Sequence, residues 1–176
     1  CRCSDILIMN LLEVLFILYS KPEKALGKIA KKYKLTVSSA ESCTGGMVSS
    51  LLTDISGSSE YITENIVTYS NNAKNKYLKV KTETLEQYGA VSEQTAKEMA
   101  RGLIEQTDAD YTVTTTGIAG PTGGSKEKPV GLMYIGLANK KYSGIIKVIL
   151  PKYLPRVIMK KVFRSEEHTS ELQSLA

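Results

Sequence analysis

A serine, a cysteine and a threonine stand directly before two glycines at Ser42, Cys43, Thr44, Gly45 and Gly46. An apolar, strand-like run precedes them and a helix-like run follows, so the small hydroxyls and the thiol fall on a strand-to-helix turn. The first N–H groups of a helix lack intrahelical partners, and glycine lets another molecule approach the main chain closely. Such a turn can offer Ser42 as a nucleophile. The backbone of Cys43, Thr44, Gly45 and Gly46 can then receive an oxyanion or a phosphate. The same residues would equally suit a turn that only needs room to pack a strand on a helix. Cys43 is the rival nucleophile, since a helix N-terminus lowers a thiol pKa. Adjacent to Ser42, its side chain must point elsewhere, and a buried structural thiol is the simpler reading.

A nucleophile needs a base. The one histidine, His168, lies in a segment that is itself in question, so the base must come from Lys, Tyr, Asp or Glu. Lys74 is the best candidate. With Ser70 as N-cap it falls in the first turn of a helix, the end where the macrodipole disfavours a cation. Burial added to that misplacement would lower its pKa; taken alone, it would be a solvated surface lysine. Tyr69 ends the preceding strand and could relay a proton or orient the lysine, or be an ordinary strand aromatic. A third constellation, Thr115–Gly124 (TTGIAGPTGG), opens a strand end into a glycine-rich loop that could cradle a phosphate or ribose, or be a self-packed loop. Ser125–Lys128 matches the S-x-x-K spacing of β-lactamase-type sites, which need a helix turn. Among Gly and Pro it reads as loop.

The elements that must position these groups alternate. A helix begins at Pro22, with Ala25, Ile29 and Tyr33 on one face. Leu35 and Val37 alternate in a short strand, and Met47, Val48, Leu51, Leu52 and Ile55 repeat at helical spacing, closed by Gly57. YITENIVTYS reads as a strand and SNNAKNKYL as a short helix. VSEQTAKEMARGLIEQ is the clearest helix, with Ser92 as cap and Ala96, Met99, Ala100, Leu103 and Ile104 as its stripe. DYTVTTT, VGLMYIGLA and YSGIIKVIL read as strands, and a last helix begins at Arg156. This alternation argues for a three-layer α/β domain.

The 176 residues bound one domain able to bury a core without metal or disulfide. Cys1, Cys3 and Cys43 form no disulfide framework and no paired C-x-x-C zinc pattern, which fits a reduced cytoplasmic chain. Asp5–Tyr19 is apolar but shorter than a membrane span and interrupted by Asn10 and Glu13. We expect a packing helix from near Met9, with residues 1–20 an extension that is partly non-native. Arg164–Ser174 (RSEEHTSELQS) resembles the in-frame translation of a sequencing-library adapter. We therefore expect residues 164–176 to replace a native C-terminus, cutting the last helix short after Phe163. The formal net charge of +5 hints at an anionic substrate, but the lysines are spread and no aromatic-interleaved basic motif argues for nucleic acid.

These pieces, in this order, resemble the C-terminal domain family of CinA, the nicotinamide-nucleotide amidohydrolases. The matching stretches are AESCTGG, TYSNNAKNKYLKV, YGAVSEQTAKEMARG and TTGIAGPTGGSKEKPVGLMYI, within Leu35 to Phe163, and the domain is read as 21–163. The resemblance implies a three-layer α/β/α sandwich with a mixed sheet, often a homodimer, in bacterial cytoplasm. It implies hydrolysis of nicotinamide mononucleotide to nicotinate mononucleotide and ammonia in pyridine-nucleotide salvage, with no metal or organic cofactor. Carried over, Ser42 is the nucleophile, Lys74 its base and Tyr69 its helper, a serine–lysine form of triad logic. Cys43, Thr44, Gly45 and Gly46 would hold the oxyanion. Thr116, Gly117, Ala119, Gly120 and Arg156 would meet substrate, whose phosphate is assigned to the loop from Gly117 to Gly124. The chain departs from the family at Asn65, where relatives usually carry Gly, and before the last helix. There PKYLPR keeps only Arg156 of a Gly-Asp-Arg, which puts substrate contacts near Arg156 in doubt. Two other classes stand beside the amidase: a nucleotide-binding or regulatory module without turnover, and a competence- or DNA-damage-related interaction protein. Retention of Ser42, Tyr69 and Lys74 together favours the enzyme.

Overall fold

A computed structural model describes residues 6–8 and 22–164. Six strands form one mixed sheet in the order β1-β6-β5-β4-β2-β3. They are β1 (Ile6–Ile8), β2 (Val37–Glu41), β3 (Ile62–Val67), β4 (Tyr111–Gly117), β5 (Leu132–Asn139) and β6 (Ser143–Ile149). β2 runs parallel to both β3 and β4, β5 is antiparallel to β4 and β6, and β1 pairs parallel with β6. The helices are α1 (Pro22–Tyr33), α2 (Met47–Thr53), α3 (Asn71–Leu78), α4 (Thr82–Tyr88), α5 (Glu93–Gln106) and α6, which is helical over 156–164. They cover both faces, giving the three-layer α/β/α sandwich with a mixed sheet that the alternation and the resemblance led us to expect.

Sheet pleat decides which layer each residue joins. On one face Val113, Met133, Ile135 and Val148 pack under Met159, Val162 and Phe163 of α6, while Val48 and Leu52 of α2 meet Leu26 of α1. On the other, Ala40 packs under Leu78, Val80, Leu85, Met99 and Leu103, and Ala100 and Ile104 of α5 cover Ala138. Burying Met159, Val162 and Phe163 contributes about 1.5–3 kcal/mol each, so α6 is a structural layer as well as a carrier of charge.

The helix signals hold where they are local. Ser70 Oγ accepts from Ala73 N and Ser92 Oγ from Thr95 N, and the α5 stripe is buried throughout. Three expectations need correction. The inward face of α1 is Leu26 and Ala30, not Ala25, Ile29 and Tyr33; Tyr33 lies exposed under the Lys32 ammonium. The short helix α4 was not anticipated: it has no side-chain cap, and its buried residues are only Thr84 and Leu85. Ile6–Ile8, read as the start of an apolar extension, extend the sheet as β1. The helix expected from Met9 and the segment after Arg164, His168 included, lie outside the described residues.

Candidate active site

The site lies where β2, β3 and β4, mutually parallel neighbours, end together. Open α/β sheets bind ligands beyond the carboxyl ends of such strands. β2 is buried at all five positions and delivers Ser42 one residue past its end. β3 leads through Thr68 and Tyr69 to the Ser70 cap, and the cap starts α3 so that Lys74 turns back toward β2. Lys74 Nζ lies 2.9 Å from Ser42 Oγ and donates to the Thr68 carbonyl at 2.8 Å. Thr68 is held in turn, its N–H donating to Glu41 O at 2.7 Å. The lysine side chain is 1% exposed and no carboxylate pairs with it among the described residues. Burial without a counter-ion lowers its pKa to about 8, the neighbouring Cys43 sulfur pulling weakly the other way. A neutral amine in this position can give one N–H to Thr68 O and take the Ser42 hydroxyl proton on its lone pair.

Beneath the turn sits a group the sequence reading overlooked. The Glu41 carboxylate is 0% exposed, yet every oxygen is used. Oε2 accepts from Gly46 N (2.8 Å) and Val48 N (3.1 Å); Oε1 accepts from Ser49 N (2.8 Å) and Ser49 Oγ (2.6 Å). A buried charge is tolerable when saturated with donors at a helix N-terminus. Glu41 therefore caps α2 from the strand that leads into Ser42, and ties the turn at both ends. Ser39 Oγ extends the network, donating to Asn65 Oδ1 at 2.7 Å; Asn65, the departure from the family pattern, is thus part of this support.

This changes the assignment of donors. Gly46 N, expected to face an oxyanion, is spent on Glu41. Thr44 is 0% exposed, so only the N–H of exposed Gly45, which makes no hydrogen bond among the described residues, stays available. Thr44 Oγ1 is tied to Thr115 Oγ1 at 2.9 Å, which fixes the turn against β4. The Cys43 side chain is buried in the core cluster that holds Ala119, Met133 and Phe163, with its sulfur still near enough to Lys74 to act on it.

The second glycine loop is different from expectation. Thr116 is buried, and its hydroxyl donates to Ala90 O at 2.6 Å, holding the entry to α5. Ala119 belongs to the core. A Cβ on Gly117 would meet Leu132 O at 2.7 Å and Cys43 Sγ at 3.1 Å, and one on Gly120 would meet Val130 Cγ1 at 2.5 Å. Packing of the protein's own chain therefore requires glycine at both positions. Ser125 and Lys128 form a small turn of their own, Lys128 Nζ reaching the Tyr88 carbonyl at the end of α4, so the S-x-x-K match is loop.

Tyr69 and Arg156 meet each other. Tyr69 is 61% exposed and its hydroxyl accepts from Arg156 Nη2 at 3.0 Å, while Arg156 Nη1 donates to Gly120 O at 2.6 Å. The guanidinium thus fastens α6, the second loop and the start of α3 around the mouth of the site. One turn along α6, Lys160 reaches the first glycine turn. Its Nζ is 3.2 Å from where a Gly45 Cβ would be. No group of three or more His, Cys, Asp or Glu suited to a metal occurs among the described residues. No helix among them is long and apolar enough to cross a membrane.

Fold and site together define an α/β/α domain with a buried serine–lysine pair at the carboxyl ends of parallel strands. The chain belongs to the CinA family: residues 19–165 match the CinA C-terminal domain. It is 53% identical over 124 residues to a CinA-like protein of Chlorobium limicola, covering 70% of this chain and 29% of that protein. It is 55% identical over 126 residues to a putative competence-damage inducible protein of Clostridium perfringens, covering 72% and 30%. The chain thus spans about 30% of the length of these relatives. Among solved structures, competence/damage inducible protein CihA from Agrobacterium tumefaciens superposes with a TM-score of 0.82 at 37% identity, covering 88% of this chain and 95% of that one. A CinA superfamily protein from Escherichia coli superposes with a TM-score of 0.82 at 31% identity, covering 86% and 87%.

Proposed function

We propose that this domain hydrolyses the carboxamide of nicotinamide mononucleotide, giving nicotinate mononucleotide and ammonia through an acyl-enzyme on Ser42. The observation that supports this reading is the 2.9 Å contact between Ser42 Oγ and a buried lysine with a lowered pKa. A binding module has no use for a desolvated amine, whereas a general base does. In the forward step neutral Lys74 takes the Ser42 proton as Oγ bonds to the amide carbon. The oxyanion lies against the exposed N–H of Gly45. The Lys74 ammonium then protonates the leaving nitrogen, the C–N bond breaks and ammonia departs. Water attacks the resulting ester, its proton passing to Lys74, and Oγ leaves with a proton returned from the same amine. Tyr69, held by Arg156, stands at the rim and orients substrate rather than sharing the serine proton.

The test is ammonia release from nicotinamide mononucleotide by the wild-type chain and by Ser42→Ala. We expect Ser42→Ala to lower kcat/KM by at least about 10³-fold. Turnover surviving that change removes the serine nucleophile. No turnover from a folded wild-type chain moves the function to nucleotide binding.

A further inference from the structure

We propose that Lys160 forms a subsite for the phosphate monoester of the substrate, on the exposed end of the Ser42 turn. The identity of that substrate rests on the amidase reading; the anion site rests on the following geometry.

Gly45 has φ of +64°, is exposed, and has no side chain within 4 Å of its Cβ position except Lys160, with Nζ at 3.2 Å and Cε at 3.9 Å. A side chain at residue 45 would push that amine away. The ammonium makes no ion pair among the described residues, where the two ion pairs are Lys31–Glu60 and Arg101–Glu105. The nearest acid in the turn, Glu41, is buried beneath it with both oxygens saturated by four donors. Arg156, one helical turn earlier on α6, already spends donors on Gly120 O and Tyr69 Oη. Among the described residues neither cation has an anionic partner, but Arg156 spends its donors on the protein and Lys160 makes no hydrogen bond.

The subsite adjoins the oxyanion position, with Gly45 between them. The reacting carbonyl must lie against Ser42 Oγ, at the buried end of the turn beside Lys74. Lys160 stands over the opposite, exposed end, where a charged group remote from the scissile amide would project. A lysine serves there as a point charge, the usual way this side chain holds phosphate. In the second loop, to which the sequence first assigned the phosphate, the space beside Gly117, Gly120 and Gly124 is filled by Val130, Leu132 and Cys43, and only Gly123 is left open. The subsite moves accordingly from β4 to β2 and α6.

The experiment compares kcat/KM for nicotinamide mononucleotide with that for the nucleoside lacking the phosphate, in the full chain and in Lys160→Met and Lys160→Arg. We expect the preference for the phosphorylated substrate to fall about tenfold in Lys160→Met, the worth of one charge-assisted contact, and to recover in Lys160→Arg. Equal losses for both substrates would overturn the subsite and place Lys160 in turn stability or at the oxyanion. A second arm is independent of turnover: inorganic phosphate is titrated into Ser42→Ala while the Gly45 amide is followed by NMR. A phosphate-dependent shift that disappears in the Ser42→Ala, Lys160→Met double variant supports the subsite even if the wild-type chain releases no ammonia. No shift at Gly45 overturns it even if the chain is an active amidase. Should Lys160→Met not fold, Lys160→Gln takes its place in both arms.

Discussion

Two glycine-rich turns end neighbouring parallel strands, and they use their glycines in opposite ways. After β2, Gly45 and Gly46 adopt positive φ with open space or a mobile amine where a side chain would be. After β4, the space beside Gly117, Gly120, Gly124 and Gly131 is already filled by backbone or by Val130, with contacts of 2.2–2.8 Å to a hypothetical Cβ. The first turn leaves the space beside its glycines open; the second, Gly123 apart, is a packed plug beneath the Arg156 contact to Gly120 O. Glycine content alone could not separate them, because both read as phosphate cradles in sequence. What decides is the atom standing where the Cβ would be.

The largest effect that tests this division is chemical. Lys74→Met should lower ammonia release by about 10²–10⁴-fold, the range for a general base, in a protein that still gives native circular dichroism. Activity within a few-fold of wild type would mean that the first turn is bare for some reason other than serine activation.

Next comes the plug. Gly131→Ala places a Cβ 2.2 Å from Leu150 O at φ of +95°, and Gly117→Ala places one 2.7 Å from Leu132 O. Each should cost about 2–4 kcal/mol in urea unfolding, from overpacking and strain. Gly45→Ala should cost only the left-handed backbone term, about 1–2 kcal/mol, yet displace Lys160 and weaken use of the mononucleotide. Similar stability losses at all three positions would erase the contrast.

A buried carboxylate supports the bare turn, and its removal gives a smaller signal. Glu41→Gln keeps the shape but sets an amide nitrogen against backbone N–H donors. We expect a stability loss of about 1–3 kcal/mol and, well below the melting transition, a roughly tenfold lower kcat with KM little changed, on the scale of one misplaced hydrogen bond at a reacting group. A loss confined to Tm would make Glu41 a cap only.

Much of this was legible in sequence because it is local. Ser70 and Ser92 cap residues three positions ahead, and the α5 stripe repeats within one helix. The burial of Lys74 beside Ser42 was legible in outline: a cation in a first turn is misplaced, and misplacement asked for a reason. The α1 face was misread because Ala25, Ile29 and Tyr33 share helical spacing as Leu26 and Ala30 do, and only the neighbouring layer chooses between them. Glu41 left a signal that went unread: an acid shortly before a helix start is a capping candidate. Lys160 left none, since nothing local links a lysine on the last helix to a glycine on the first turn. Thr115 and Thr116 show the same limit. They are adjacent and chemically identical, yet pleat sends Thr115 to Thr44 in the Ser42 turn and Thr116 to Ala90.

The smallest effect is also the most direct reading of burial. Lys74 titrates near 8 in the folded chain against 10.5 when free, so between those values the unfolded chain binds the extra proton. Stability contributed by this group therefore rises with pH, with a slope of about 0.7 kcal/mol per unit at pH 8, where the folded lysine is half protonated. The gain continues until pH passes the unfolded value. Urea unfolding of wild type and Lys74→Met at pH 7.5 and 8.5 isolates the term, because every other titration is shared. Wild type should gain on the variant by about that amount, and kcat/KM should climb across the same interval as the base loses its proton. A stability difference flat with pH would mean that the lysine stays solvated and charged in solution. The first turn would then hold an ammonium beside Ser42, and its open Gly45 N–H would serve binding rather than catalysis.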